Sequence, residues 1–187
     1  MYLFLIPLLI GFICAGASAF TAAYSRRFGE RGGQLATAVL RNLLGIPLLV
    51  LGYAWAWVVS SAWVITPGVP LSILGWILVI TGAVPVAVGH VNVGLRSHMP
   101  SLRDTLVAHG LYAYVRHPIY SGVLLMVAGV ALIRPSLTVW VASAMALVWL
   151  AVQARLEEQD LLQRLPEYRE YMRQVPRFFP KFRRCKP

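Results

Sequence analysis

The chain has 187 residues, 58% of them hydrophobic and 13% charged, with a mean hydropathy of +0.67 and a formal net charge of +10. Soluble domains carry about a quarter of their residues as charges, so the composition excludes an ordinary soluble domain and predicts an all-α integral membrane protein. The basic excess lies on one side of the expected bundle, which excludes a nucleic-acid partner in favour of a lipid bilayer.

In chain order, five apolar stretches stand out at residues 2–24, 42–64, 71–95, 119–133 and 135–154, against the roughly 20 residues that a spanning helix needs. The fourth is short and suits a helix beginning inside the interface. If each stretch crosses once, Arg26, Arg27, Arg31 and Arg41, then Arg96, Arg103 and Arg116, then every Lys and Arg from Arg155 onward share one face. Only Arg134 is opposite. By the positive-inside rule this predicts an amino terminus outside, a carboxyl terminus in the cytoplasm, and polar chemistry facing inward; a bacterial or archaeal plasma membrane is the expected setting. The run from Leu3 to Ala15 followed by Gly-Ala-Ser-Ala resembles a signal peptide, but no Lys or Arg precedes it. Cys14 and Cys185 give neither a disulfide framework nor a metal-ligand spacing, and the ending Cys185-Lys186-Pro187 is one residue short of a prenylation box.

Glycines recur every seven residues at Gly45 and Gly52, at Gly75, Gly82 and Gly89, and at Gly122 and Gly129. Two helical turns apart, they form stripes where neighbouring helices can approach closely. Pro47 and Pro85 are expected to kink their helices, and Tyr53, Trp55, Trp57 and Trp63 to anchor at the outer interface. The loop 96–116 is polar. After residue 154 the fifth span is expected to continue into the cytoplasm as an amphipathic helix that Pro166 interrupts. Tyr168 and Tyr171 then share a face. In the tail, Phe178, Phe179 and Phe182 alternate with Arg177, Lys181, Arg183 and Arg184, suited either to an anionic membrane surface or to water.

Two constellations carry the chemistry. Pro118 fits the first position of a helix with His117 before it, so the free N–H groups there favour an anion, with Arg116 as a bidentate clamp and Tyr112 and Tyr120 as flat faces. Read alone, the same residues are interfacial anchors. At the inner end of the fifth span Glu157 and Glu158 point about 100° apart, so at most one faces the bundle. Glu157 is the inward choice because it shares a face with Gln153 and Leu161; the other reading pairs it with Arg155 or Arg164 in water. A carboxylate clamp, two rings and a carboxylate around one cavity match S-adenosylmethionine.

The stretch from Asp104 through Thr105, Leu106, Val107 and on to Arg116-His117-Pro118-Ile119-Tyr120, followed by Glu157-Glu158 and a Tyr-x-x-Tyr-x-x-x-Val-Pro segment, resembles the isoprenylcysteine carboxyl methyltransferases and their bacterial relatives, a group that includes the phospholipid N-methyltransferases. The resemblance implies an S-adenosylmethionine-dependent enzyme, with S-adenosylhomocysteine as product and no metal. Asp104, Thr105, Leu106, Val107, Tyr112, His117, Pro118, Ile119, Tyr120 and Glu157 would surround the cofactor. It also implies a division into a three-helix scaffold, residues 1–95, and a methyltransferase core, residues 96–187. Asp104 departs from the family's His, and Gln153 stands where the family places an Arg that holds the substrate. Arg155 lies about 200° around the helix from it, leaving Gln153 and Arg155 as the substrate-side candidates. The sterol reductase pattern is a poorer match, since Ile119 and Val123 replace its Asn and Glu.

The expected reaction is in-line attack by a lipid-like or lipidated acceptor, arriving laterally, on the sulfonium methyl. Arg116 would orient the ligand, and His109, His117 or Glu157 would serve as base where the nucleophile needs one. A carboxyl acceptor, a phospholipid or small amine or thiol, and a non-catalytic scaffold or transport role all stay open. The sequence specifies no oligomer.

Overall fold

The computed structural model describes residues 2–94 and 98–180. Arg96 and the basic, aromatic end of the tail, residues 181–187, lie outside the described residues. Among the described residues seven α-helices follow in order: α1 (Leu5–Ala17), α2 (Thr21–Ala38), α3 (Ile46–Val58), α4 (Val69–Val93), α5 (Pro118–Ile133), α6 (Leu137–Arg164) and α7 (Tyr168–Gln174). A π-helical segment, Val39–Gly45, joins α2 to α3, and a 3-10 turn, Gly110–Ala113, precedes α5. Among the described residues the one pairing of extended backbone is an isolated bridge between Trp63 and Ser136.

Three helical runs, Thr21–Val58, Val69–Val93 and Leu137–Arg164, are long and apolar enough to cross a membrane. The other two apolar helices, α1 with 13 residues and α5 with 16, are about 20 and 24 Å long at 1.5 Å per residue, short of a hydrocarbon core of about 30 Å. The first apolar stretch is therefore not one helix over residues 2–24. Ser18 turns its hydroxyl back onto the Ala15 carbonyl at 2.6 Å, Phe20 leaves helical geometry (φ −93°, ψ 48°) and α2 starts at Thr21.

The run beginning at Thr21 is itself folded back. Gly29 adopts φ 74°, ψ 169°, a conformation that glycine reaches without a Cβ penalty. Thr21 Oγ1 lies 3.1 Å from Thr37 Oγ1, whereas residues 16 apart on a straight helix would be about 24 Å apart. Residues 21–38 thus form a helical hairpin. It docks on the end of α6, where the Ala22 N–H donates to Asp160 at 2.7 Å and Arg26 to Gln163 at 2.8 Å.

The glycine stripes are seams. Gly75, Gly82 and Gly89 of α4 lie against Gly129, Gly122 and Ile119 of antiparallel α5, close enough that a Cβ on Gly82 would stand 2.6 Å from the Gly122 carbonyl oxygen. Gly45 and Gly52 similarly approach Ala15 and Leu8 of α1. Phe4, Leu8, Phe12, Ala56 and Ala142 form the core between α1, α3 and α6. Pro85 presses on Gly122 across the seam, and Pro47 stands in the first turn of α3, just past the π-helical segment. At one end of the bundle the 59–68 loop meets the 134–136 turn through Val64 N–H to Pro135 O and Leu137 N–H to Ala62 O, both 2.8 Å. Arg134 is there, its guanidinium over Trp57 and Trp63. The ion pairs gather at the other end.

Candidate functional site

At that polar end the inner portion of α6, α5, the π-helical segment, the 98–116 loop and α7 enclose a cavity of about 540 Å³, within the size range of small-ligand sites. Its lining includes Asp104, Thr105, Leu106, Val107, Tyr112, Arg116, His117, Ile119, Tyr120, Gln153 and Glu157. Of the residues singled out from the sequence, Pro118 is buried behind this wall against Gly89, Arg155 is exposed on the far side of α6, and His109 is exposed outside the cavity.

Pro118 occupies the first turn of α5 with His117 as the residue before it, as the proline's fixed φ favours. The N–H groups flanking this helix start are not free for an outside anion. Arg116 N–H donates to Pro176 O at 2.9 Å, His117 N–H to Arg177 O at 3.1 Å, and Ser121 Oγ to Phe178 O at 2.7 Å. The tail lies along α5 and its carbonyls take those donors. The anion near this helix start is the protein's own Glu158.

Both glutamates face inward, which corrects the expectation that only Glu157 would. Glu158 is 3% exposed; it accepts from Arg177 Nε at 3.0 Å and Nη2 at 2.5 Å, sits 3.2 Å from His117 Nε2 and 3.4 Å from Arg116 Nη1. Residues 100° apart on a helix can both be buried when that helix is covered on two sides, here by the cavity and by the tail. Arg177 is held more firmly protonated, chiefly by its hydrogen bond to Glu158.

Glu157 is partnered by neither Arg155 nor Arg164. Its Oε1 accepts from Arg41 Nη2 at 2.8 Å, Tyr120 OH at 2.6 Å and Gln153 Nε2 at 3.2 Å, while Oε2 is 4.0 Å from His117 Nδ1. The His117 and Tyr120 rings stack with centroids 5.3 Å apart and planes within 1°. The sequence marks Arg41 only as a topological charge.

Arg164, together with the unmarked Asp160, locks the loop that carries Asp104. Arg164 Nε donates to Asp160 at 2.6 Å and Nη1 to Ser101 O at 2.7 Å, with Asp104 at 3.3 Å. The four-residue Asp-to-Arg spacing on α6 was the available signal. Asp104 thereby serves the loop, accepting also from Ser101 N–H at 2.8 Å. Tyr168 and Tyr171 pack with Leu106 and Leu161, and Tyr171 OH donates to Tyr112 O at 2.6 Å. Burial pushes the Tyr171 phenol up to about 12 and the Tyr112 and Tyr168 phenols up as well, so all three stay neutral donors at any working pH.

Two groups in the wall are buried without hydrogen bonds: Arg116 Nε and Nη1, and Gln153 Oε1. The Gln153 amide is oriented by two acceptors, Ala15 O at 3.1 Å and Glu157 Oε1, which leaves its oxygen turned away from both. These atoms lie beneath the cavity surface, and Arg116 Nη1 has Glu158 Oε1 at 3.4 Å as its counter-charge. Among the described residues no three His, Cys, Asp or Glu side chains are grouped to hold a metal.

Residues 63–167 match the family model described as phospholipid methyltransferase. The cobalt-zinc-cadmium resistance protein CzcN of Cupriavidus metallidurans is 41% identical over 80 residues, which cover 42% of this chain and 37% of that protein. The match thus spans little more than a third of that relative's length. No solved structure matches.

Proposed function

Because the chain belongs to the phospholipid methyltransferase family, we propose that it is an integral-membrane methyltransferase that binds S-adenosylmethionine in this cavity and methylates a lipid-like or lipidated acceptor. The observation that carries the proposal is the Glu157 carboxylate in the cavity wall, whose Oε1 takes three donors while Oε2 makes no hydrogen bond among the described residues, with Arg116 lining the same cavity. A carboxylate and an ammonium on one ligand would meet both. Arg116 is the partner proposed for the cofactor carboxylate, and Glu157 for its amino group. Tyr112, Tyr120 and the Thr105–Val107 backbone region would enclose the remainder.

When bound, S-adenosylmethionine supplies an electrophilic methyl on sulfur. The chain's own contribution is positioning and exclusion of water: the Glu158–Arg177 pair and the tail carbonyls fasten the wall behind His117, and the three tyrosines cover the loop side. In this reading residues 96–187 form the methyltransferase core, five helices lie in the bilayer, and the cavity opens to the cytoplasm.

An apolar groove of about 480 Å³ between α1 and α6, lined by Leu9, Phe12, Ile13, Ala144, Met145, Val148 and Trp149, shares the Trp149 ring with the polar cavity. Lateral arrival of an acceptor with a hydrocarbon chain would use this groove, with Trp149 between it and the polar cavity. The motif resemblance favours a carboxyl acceptor. Gln153 favours an amine, because this neutral amide in the cavity lining stands where the resemblance expects an Arg and supplies no charge to hold a carboxylate. Metal resistance is named only for the relative, and no described side-chain grouping favours it here.

Calorimetric titration of the purified protein in detergent with S-adenosylmethionine tests the reading. Glu157→Gln and Tyr120→Ala should each weaken binding about tenfold or more. Unchanged affinity in both would defeat the site assignment, and no binding by the unaltered protein would leave a non-catalytic scaffold. Methyl-labelled cofactor given to membranes then sorts the acceptor: base-labile label marks an ester, base-stable label an amine or thioether.

A further inference from the structure

Arg41 lies outside the family-matched residues 63–167, yet it reaches the centre of the site. It stands on the π-helical segment Val39–Gly45, and π turns insert an extra residue that shifts the direction of the side chains around it. Its Nη2 donates to Glu157 Oε1 at 2.8 Å, and its Nε to Ser18 Oγ at 3.3 Å. Ser18 Oγ donates to Ala15 O, the same carbonyl that receives Gln153 Nε2, and Gln153 Nε2 also donates to Glu157 Oε1. A closed ring of hydrogen bonds thus runs from the end of α1 through Arg41 and Glu157 to Gln153 and back.

The consequence falls on Glu157. With Tyr120 added, three donors converge on Oε1, while Oε2 makes no hydrogen bond among the described residues and has His117 Nδ1 at 4.0 Å. One oxygen is anchored and the other is left for a ligand. A carboxylate held this way is fixed in orientation before the ligand arrives, so little conformational freedom is lost on binding.

We propose that Arg41 is a positioning residue for the methyl donor: it fixes the Glu157 carboxylate so that Oε2 receives the cofactor's ammonium. This rests on the proposed reading of Glu157 as the partner of that amino group. Arg41 itself touches Glu157 rather than the cofactor.

The test compares two ligands on the full-length protein in detergent by calorimetry. S-adenosylhomocysteine carries the amino-acid portion, and 5′-methylthioadenosine is the same thioether without it. The unaltered protein should prefer S-adenosylhomocysteine. Arg41→Gln should weaken S-adenosylhomocysteine binding about tenfold or more while leaving methylthioadenosine affinity unchanged, and Arg41→Lys should recover most of the loss. Adding Arg41→Gln to Glu157→Gln should weaken binding no further than Glu157→Gln alone.

If Arg41→Gln keeps the preference that Glu157→Gln loses, Arg41 has no positioning role and the Glu157 reading survives. If Arg41→Gln weakens both ligands equally, Arg41 is merely structural, and the proposal falls. If Glu157→Gln keeps the preference, the reading of Glu157 falls and takes this inference with it.

Discussion

Between Leu137 and Leu150, α6 carries hydroxyls and no charge; between Gln153 and Arg164 it carries three carboxylates and two arginines. The first portion satisfies these hydroxyls on a single neighbouring helix, α3: Thr138 Oγ1 donates to Ala56 O at 2.8 Å, and Ser143 pairs with Tyr53 OH at 2.5 Å. The second draws partners from several segments at once, with Arg41 meeting Glu157, Arg177 and Arg116 meeting Glu158, and the Ala22 N–H meeting Asp160. A neutral hydroxyl needs one acceptor when buried, whereas a buried charge needs a counter-charge as well as hydrogen bonds. The polar end of the bundle is therefore where distant segments are tied together, and the apolar portion is where adjacent helices simply pack.

The largest expected break in that contrast is at Glu158. Glu158→Ala would leave Arg116 and Arg177 without their shared carboxylate, and His117 without its nearest anion. Removing one partner of a buried pair costs about 3–5 kcal/mol. Denaturant or thermal unfolding in detergent reads the loss, and trypsin should cut after Arg177 sooner as the tail detaches. A loss under about 1 kcal/mol would mean that the tail contributes little to holding the wall.

The apolar side is broken by adding volume instead of removing charge. A Cβ on Gly122 would collide with the Gly82 carbonyl oxygen and stand 2.8 Å from Val86 Cγ2. A backbone atom inside a helix cannot turn aside, so Gly122→Ala should cost about 1–3 kcal/mol as overpacking does. Gly68→Ala is the control, since the nearest atom to its Cβ would be Pro70 Cδ at 3.9 Å and its φ is −156°. Equal effects at the two glycines would show that the close approach at the seam is not what Gly122→Ala disturbs.

What the sequence made legible divides along the same line. Seven-residue glycine spacing, Pro118 at a helix start, the stop near Pro166 and the inward side of Glu157 all follow from helical periodicity within one segment. The reversal at Gly29, the burial of Glu158 and the insertion of Arg41 depend on what another segment brings to the opposite face. Periodicity says which residues share a face and is silent on what covers it. Ser18 carries a local signal, a hydroxyl among small residues, but an apolar count over residues 2–24 outweighs it, and Gly29 lies beyond that stretch among charged residues.

The smallest effect is expected at Arg134, the described cation at the other end of the bundle. Its guanidinium lies 5.6 Å from the Trp57 ring and 5.5 Å from the Trp63 ring, and its Nε is buried without a hydrogen bond. Here the counter-charge used everywhere around Glu157 and Glu158 is replaced by two ring faces, an arrangement worth about 0.5–1 kcal/mol at a partly exposed site. Arg134→Gln combined with Trp57→Leu in a double-mutant cycle should give a coupling of about that size. The guanidinium's flat face stacks on indole in a way an ammonium does not, so Arg134→Lys should lose part of it. A coupling near zero would mean that the rings serve only as interfacial anchors, and that this end of the bundle, unlike the glutamate end, holds its one charge without any specific partner.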